Sequence, residues 1–575
     1  MSHRLFAYLL SSLVCLLIYT DSARSIHDSS ANKPSADLVL VGGKIWTGNR
    51  SRPEAQAIAI WSDRILHVGT DAEVRALIAA KTRVIDLQGR RVVPGFNDSH
   101  VHLIGGGMAL SRVALKDATD EAEFGRRLQA FDSKLPRERW IVGGNWDHDR
   151  TFGGKLPTAA TIDRYVRDRP VFINRYDGHM ALANTRALQL AGITAATPDP
   201  SGGVIVRLED GKTPSGVLRD RAMDLCMHVV PPLTEDEIAE ALQAALAEAR
   251  SFGVTSLQDM DGNDPVARRH QFRVLQRLAR SGELTARIDL RRPIDRASEL
   301  TALGFTAAFG SDWLSVGGVK GFMDGSLGSS TAKMFEPYIN EPGSTGVFVT
   351  PRSGMLDLVK QADRGGLSVA VHAIGDQANA DLLDIYAEVA KQNGPRDRRF
   401  RIEHAQHLRP EDYSRFRELG VIPSMQPYHV IDDGRWAETR IGAKRCASSY
   451  AYRSLLDAGA KLAFGTDWPV APLDPLAGID AAVNRRTLGT KSGPGWFPEQ
   501  KITVSEALEA YTSGSAFAAF QEKGRGTLEA GKLADLVVLS RDILSADECN
   551  HISETQVEST IVGGKEVFSR RSKRP

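Results

Sequence analysis

Val92-Val93-Pro94-Gly95-Phe96-Asn97-Asp98-Ser99-His100-Val101-His102 begins apolar, passes a Pro-Gly pair and ends in two histidines one residue apart. The apolar start, 92–96, reads as a short buried strand. In an extended segment residues i and i+2 point the same way, so both imidazoles can reach one metal ion. Such a pair also occurs as two hydrogen-bonded histidines in a loop, so its meaning depends on what the rest of the chain brings beside it.

Downstream the same texture returns at 254–259, 286–290, 315–320, 367–372, 400–404, 421–426 and 461–467, between amphipathic helical patterns such as 235–251 and 504–519. Eight short strands alternating with helices predict an α/β fold, a (β/α)₈ barrel with its helices outside. In a parallel barrel all carboxyl ends of strands share one rim. His372 ends the fifth strand, His404 the sixth and Thr466-Asp467 the eighth, so four histidines and an aspartate are expected to meet. Lys320 closes the fourth strand in the glycine-rich run Val316-Gly317-Gly318-Val319-Lys320-Gly321-Phe322-Met323-Asp324. An unpaired ammonium is costly to bury there. It requires either a buried acid such as Asp324 or Asp467, or reaction of the neutral amine with carbon dioxide to give a carboxylate able to bridge two metal ions.

The flanks complete the architecture. β-rich runs at 37–46 and 57–69 reappear in character at 534–539 and 559–568, with Val41-Gly42-Gly43-Lys44 and Val562-Gly563-Gly564-Lys565 as similar hairpin tips. Short edge-prone strands at both ends need partners, so 37–90 and 524–570 are expected to form one composite β-sandwich. The barrel then takes 91–109 and 233–523, and 110–232 is an insertion subdomain after the first strand, with strands of its own, expected over the barrel mouth. A basic start, the apolar run 5–19 and small residues at 23–25 read as a signal peptide over 1–25, with an uncleaved anchor as the other reading and a polar linker at 26–36. The expected location is exported, periplasmic or secreted.

Composition narrows the function. With 72 Lys+Arg against 71 Asp+Glu the net charge is +1, and no long basic run interleaved with aromatics occurs, so neither nucleic acid nor, after signal removal, a membrane is an expected partner. The expected partners are a small-molecule substrate and a second copy of the chain. Cys15, Cys226, Cys446 and Cys549 show no CxxC spacing, which argues against a thiolate zinc site and a disulfide framework.

Taken together, Pro94-Gly95-Phe96-Asn97-Asp98-Ser99-His100-Val101-His102 with His372, His404, Asp467 and Lys320 resembles the ligand set of the amidohydrolase superfamily. Arg175-Tyr176-Asp177-Gly178-His179, Asp199-Pro200-Ser201-Gly202-Gly203 and Lys320-Gly321-Phe322-Met323-Asp324-Gly325-Ser326-Leu327-Gly328 are similar to the branch typified by N-substituted formamide deformylase. The resemblance implies divalent metal, two zinc ions or manganese or iron in their place. One ion would lie at His100, His102 and Asp467, the other at His372 and His404, with Lys320 carboxylated by carbon dioxide between them. It also implies hydrolysis of a non-peptide amide C–N bond, in an N-substituted formamide or related N-acyl amine, by a metal-activated hydroxide, with Asp467 as the catalytic proton carrier. The alternatives are a mononuclear deaminase or an esterase or lactonase of the same superfamily, and a non-catalytic binding protein on the same scaffold.

Asp177 and His179 are either substrate ligands dropped over the site or parts of a hydrogen-bonded turn around Gly178. Asp324, His429 and Trp468 are further candidates for contact with substrate. Strict strand alternation sends Glu403 to the face opposite His404, toward packing or an ion pair behind the barrel. Gly105-Gly106-Gly107 reads as a flexible connection, and Trp146-Asp147-His148-Asp149 as a cap on the insertion.

Overall fold

The computed structural model describes residues 35–175, 180–260, 265–490 and 492–570. The expected signal peptide, most of the linker, and Asp177 and His179 lie outside these. Among the described residues no helix is long and apolar enough to cross a membrane.

The centre is a barrel of eight parallel strands adjacent in chain order: Phe96–Val101, Val254–Asp259, Arg287–Pro293, Leu314–Phe322, Ser368–Ala373, Arg401–His404, Ile422–Met425 and Ala463–Phe464. Closure is made just beyond the short eighth strand. Asp467 N donates to His100 O at 2.8 Å, His102 N donates to Trp468 O at 2.8 Å, and Val101 bridges Trp468 in parallel. Among the outer helices, Glu235–Ser251 shows why this sequence coils where it does. Thr234 caps it reciprocally with Glu237, and Ile238, Leu242, Ala245, Leu246 and Ala249 form one buried stripe. The second helical pattern runs through Val504–Glu509, a five-residue π segment at Ala510–Gly514, and Ser515–Ala518.

The opening motif is divided between two sheets. Arg91–Pro94 is not barrel strand: it pairs with Leu536–Leu539 and Lys44–Trp46 in a six-stranded sheet that also holds Glu54–Ala55, Val557–Val562 and Lys565–Ser569. The barrel strand starts only at Phe96. Pro94 has no N–H to continue a ladder, and Gly95 passes so near Thr255 that a Cβ there would stand 2.2 Å from its Oγ1. Both ends of the chain thus share this sheet. A four-stranded sheet, in the order Arg64–Gly69, Ala57–Trp61, Leu38–Val41 and Arg83–Asp86, packs on it through Leu40, Ile58, Ile60, Val92, Leu536 and Ile561. The segment after the first barrel strand builds a five-stranded sheet of its own, Gly203–Arg207, Pro214–Asp220, Met180–Ala183, Val171–Arg175 and Ile141–Trp146. Arg139 ties this subdomain to the outer helix through Glu240 at 2.6 Å.

Gly105-Gly106-Gly107 is not a flexible connection. It lies within the helix Leu103–Ser111. A Cβ on Gly106 would stand 2.1 Å from the Trp468 ring, and one on Gly107 2.1 Å from Ala241 O. The glycines are what allow this helix to lie against both neighbours.

Candidate metal centre

The rim is assembled from strand ends. His100 is fully buried and His102 stands at the exit of the first strand with its side chain one-third exposed. Asp467 Oδ1 lies 3.2 Å from His102 Nε2 and 3.6 Å from His100 Nε2, and Asp467 Oδ2 lies 3.3 Å from His429 Nε2. Asp98 fixes this register: its carboxylate accepts from His100 N at 3.1 Å, Thr466 N at 2.9 Å and Thr466 Oγ1 at 2.6 Å. Burial pushes the Asp98 carboxyl up to about 7. His404 completes the group, with ring centroids 4.9 Å from His100 and 4.5 Å from His372.

Glu403 corrects the expectation drawn from strand alternation. It lies inside the barrel, with Oε2 accepting from His100 Nδ1 at 2.6 Å, and Arg401 beneath it donates through Nε to Oε1 at 2.7 Å and through a second nitrogen to Oε2 at 3.0 Å. Alternation holds from Arg401 to Glu403, which share the inner face, and fails at His404, whose φ of 76° turns the backbone so that adjacent residues both serve the rim. Asp467, at φ 61°, is turned in the same way. Such non-glycine conformations cost on the order of 1–3 kcal/mol each and persist only where surrounding structure holds them. A sequence signal was present: Arg401 and Glu403 are charges two apart in an otherwise apolar strand, the mark of a pair sharing an enclosed face.

Electrostatics leave the histidines in the form a metal needs. Burial, with the Lys320 charge adding to it, lowers His100 to about 4 and His372 to about 3; burial and the two neighbouring imidazoles hold His404 well below its ordinary value. All three are neutral at pH 7. Burial alone would raise Asp467, but His102, His429 and the nearby imidazoles hold it well below the carboxylate range. Glu403 is likewise raised by burial but carried well below its usual value by Arg401 and His100. A carboxylate only accepts, so His100 carries its proton on Nδ1 and presents the Nε2 lone pair. His100 Nε2, His404 Nδ1 and Asp467 Oδ1 are all buried without a hydrogen-bond partner. Neutral nitrogens and an ionised oxygen left unsatisfied together are what a divalent cation would satisfy, so the residues fit such an ion. Among the described residues three groupings have ligand atoms within 4.8 Å of one another: His100–His102–Asp467 and His404–His429–Asp467 at this rim, and Asp147–His148–Asp149 in the inserted subdomain.

The other candidates separate clearly. Lys320 is almost fully buried, with Nζ 4.7 Å from the Phe322 ring centre, and it makes no ion pair with Asp324 or Asp467; burial lowers it to about 8. His372 Nε2 lies 3.0 Å from Gly325 O. Asp324 is buried with its oxygens accepting from the amides of Ile374, Gly375 and Lys333 at 3.0, 2.8 and 2.8 Å, so it braces the loops and leaves a substrate little to bind. Trp468 is buried against Gly106 and serves closure through its backbone. Asp147 caps the short helix His148–Phe152.

A family model described as amidohydrolase family matches residues 83–568. Protein LONG AFTER FAR-RED 3 of Arabidopsis thaliana is 41% identical over 540 residues, covering 93% of this chain and 92% of the relative. N-substituted formamide deformylase of Arthrobacter pascens is 27% identical, covering 93% and 98%. Among solved structures, an uncharacterized metal-dependent hydrolase from Pyrococcus furiosus superposes with a TM-score of 0.74 at 31% identity, covering 88% of this chain and all of that one. Eight parallel strands closed around a histidine and carboxylate rim, with a family match over most of their length, place this chain in the amidohydrolase family as a metal-dependent hydrolase.

Proposed function

We propose that the chain hydrolyses a non-peptide amide C–N bond, with an N-substituted formamide or related N-acyl amine as substrate. The observation that carries the reading is the set of buried, partnerless ligand atoms on His100, His404 and Asp467; the 27% identical deformylase supports the substrate class. Bound there, a divalent metal would polarise the substrate carbonyl and lower the pKa of water from about 15.7 toward 7. His100, His102 and Asp467 would hold one ion, and His404 with His372 would border the second. Asp467 is ionised and reaches the rim, so it takes the proton of the attacking water and passes it to the departing nitrogen. Glu403 keeps His100 in the ligand tautomer throughout.

Lys320 enters through its amine. Lowered to about 8, part of it is neutral near physiological pH, and its reaction with carbon dioxide, which forms an N–C bond and releases one proton, would give a carboxylate able to serve two ions. Lys320→Ala is expected to lose at least one metal and about 10²-fold or more in turnover, in line with the upper end of what a metal site's supporting partners contribute. A short carboxylate supplied with the metal should restore part of it. Two tightly held ions and wild-type turnover in that variant would remove the bridge from the reading.

The direct test is metal removal. Chelation should abolish hydrolysis across a panel of formamides, acetamides, lactones and cyclic amidines, and zinc or manganese should restore it, with formamides turned over best. Activity that persists in verified metal-free protein overturns the mechanism; restored activity confined to cyclic amidines or lactones moves the chain to the deaminase or lactonase reading.

A further inference from the structure

Resting on the metal-dependent reading above, the geometry points to His429 as a protein ligand of the second ion: we propose that Asp467 is shared between two ion positions, one with His100 and His102, the other with His404 and His429. The two oxygens of Asp467 face different partners. Oδ1 lies 3.2 Å from His102 Nε2, and Oδ2 lies 3.3 Å from His429 Nε2. Two atoms each bonded to one zinc at about 2.1 Å stand at most about 4.2 Å apart, so both separations are those of co-ligands as well as of hydrogen bonds.

What favours the ion over a plain hydrogen bond is the third member. A bond from His429 to Asp467 Oδ2 satisfies that pair and leaves His404 Nδ1 buried without a partner. Ligand atoms of His404, His429 and Asp467 lie within 4.8 Å of one another, so one ion here would engage all three. His372, by contrast, has Nε2 occupied by the Gly325 carbonyl, so it has one nitrogen left for the rim.

The scaffold holds His429 firmly. It lies in the helix Pro427–Asp433, which starts directly after the seventh strand with Pro427 in its first turn. The far end is pinned at Asp433, whose carboxylate accepts from Tyr450 Oη at 2.6 Å and Gln406 Nε2 at 3.1 Å. Tyr450 and Gln406 are themselves buried. His429 therefore stands on a braced element, its ring 6.4 Å from that of His404.

The test is metal counting by elemental analysis and cobalt absorption on the full chain, with calorimetric zinc titration. The wild type should hold two ions, and His429→Asn, which can still hydrogen-bond Asp467 but ligates poorly, should hold one, with the second affinity weakened at least tenfold. Free imidazole should return the second ion to His429→Gly. Retention of two ions at wild-type affinity in His429→Asn overturns the proposal, as does a wild type that saturates at one ion with activity intact. A wild type that binds none yet hydrolyses substrate overturns the metal-dependent reading itself, and this proposal falls with it. If both His429 variants are unfolded by circular dichroism, Asp433→Asn serves instead. It loosens the helix without touching the rim, and a weakened second ion alone is the expected result; unchanged affinity for both counts against the assignment.

Discussion

Asp467→Asn is expected to lower kcat/KM by about 10³-fold or more, within the 10²- to 10⁴-fold range that a positioned proton carrier supplies and with the loss of an anionic ligand added to it. The side chain combines three roles that an amide cannot keep together. Its charge would offset a cation at the rim, Oδ1 faces His100 and His102 while Oδ2 faces His429, and of the two only the carboxylate would take a proton at neutral pH. The barrel should remain closed in this variant, because the hydrogen bonds that join the first strand to the eighth use the backbone of Asp467 and Trp468 rather than the carboxylate. The measurement is steady-state kinetics with metal content determined on the same sample. A fully folded variant carrying wild-type metal and losing less than about tenfold would show that another group moves the proton.

The second large effect is expected at Glu403, and it should appear in stability as well as in metal affinity. Glu403 and Arg401 are both fully buried and doubly hydrogen-bonded to each other, and Arg401 also donates to Ser99 O at 2.8 Å and Ser424 Oγ at 2.8 Å. Removing one partner of a buried pair leaves the other uncompensated, a cost of about 3–5 kcal/mol. Glu403→Gln keeps the shape, removes the charge, and loosens the acceptor that fixes His100 in its tautomer. Partners of this kind typically govern metal affinity by 10- to 100-fold. Denaturant unfolding of metal-free protein should therefore show a loss of roughly 3 kcal/mol. Zinc titration should show weakening at the His100 position. Arg401→Met paired with Glu403→Gln should recover part of the stability, since no charge is then stranded, but not the affinity. Unchanged stability in the single variant would mean that solvent reaches the pair.

Much of the architecture was legible because it follows from local periodicity. Apolar runs of strand length alternating with amphipathic helices specify a parallel barrel, and the barrel alone brings His100, His102, His372, His404 and Asp467 to one rim however far apart they lie in the chain. The helix Glu235–Ser251 was readable to the residue because its cap and its apolar stripe are encoded side by side. The expected signal peptide and the residues Asp177 and His179 fall outside the described structure.

Residue type and spacing along single segments were enough for the class of fold and for the histidines and aspartate that meet at the rim. Only the tertiary structure decided where the first motif divides, since the split at Pro94-Gly95 depends on Thr255 and on Leu536–Leu539 arriving from elsewhere. It alone brought Glu403 and His404 to the same rim, through left-handed backbone at His404 that strand alternation does not anticipate. It alone made a helix of Gly105-Gly106-Gly107, because the need for glycine lies in the Trp468 ring and the Ala241 carbonyl packed against it. In each case the deciding force is a contact between segments distant in sequence, and local propensity carries no record of it.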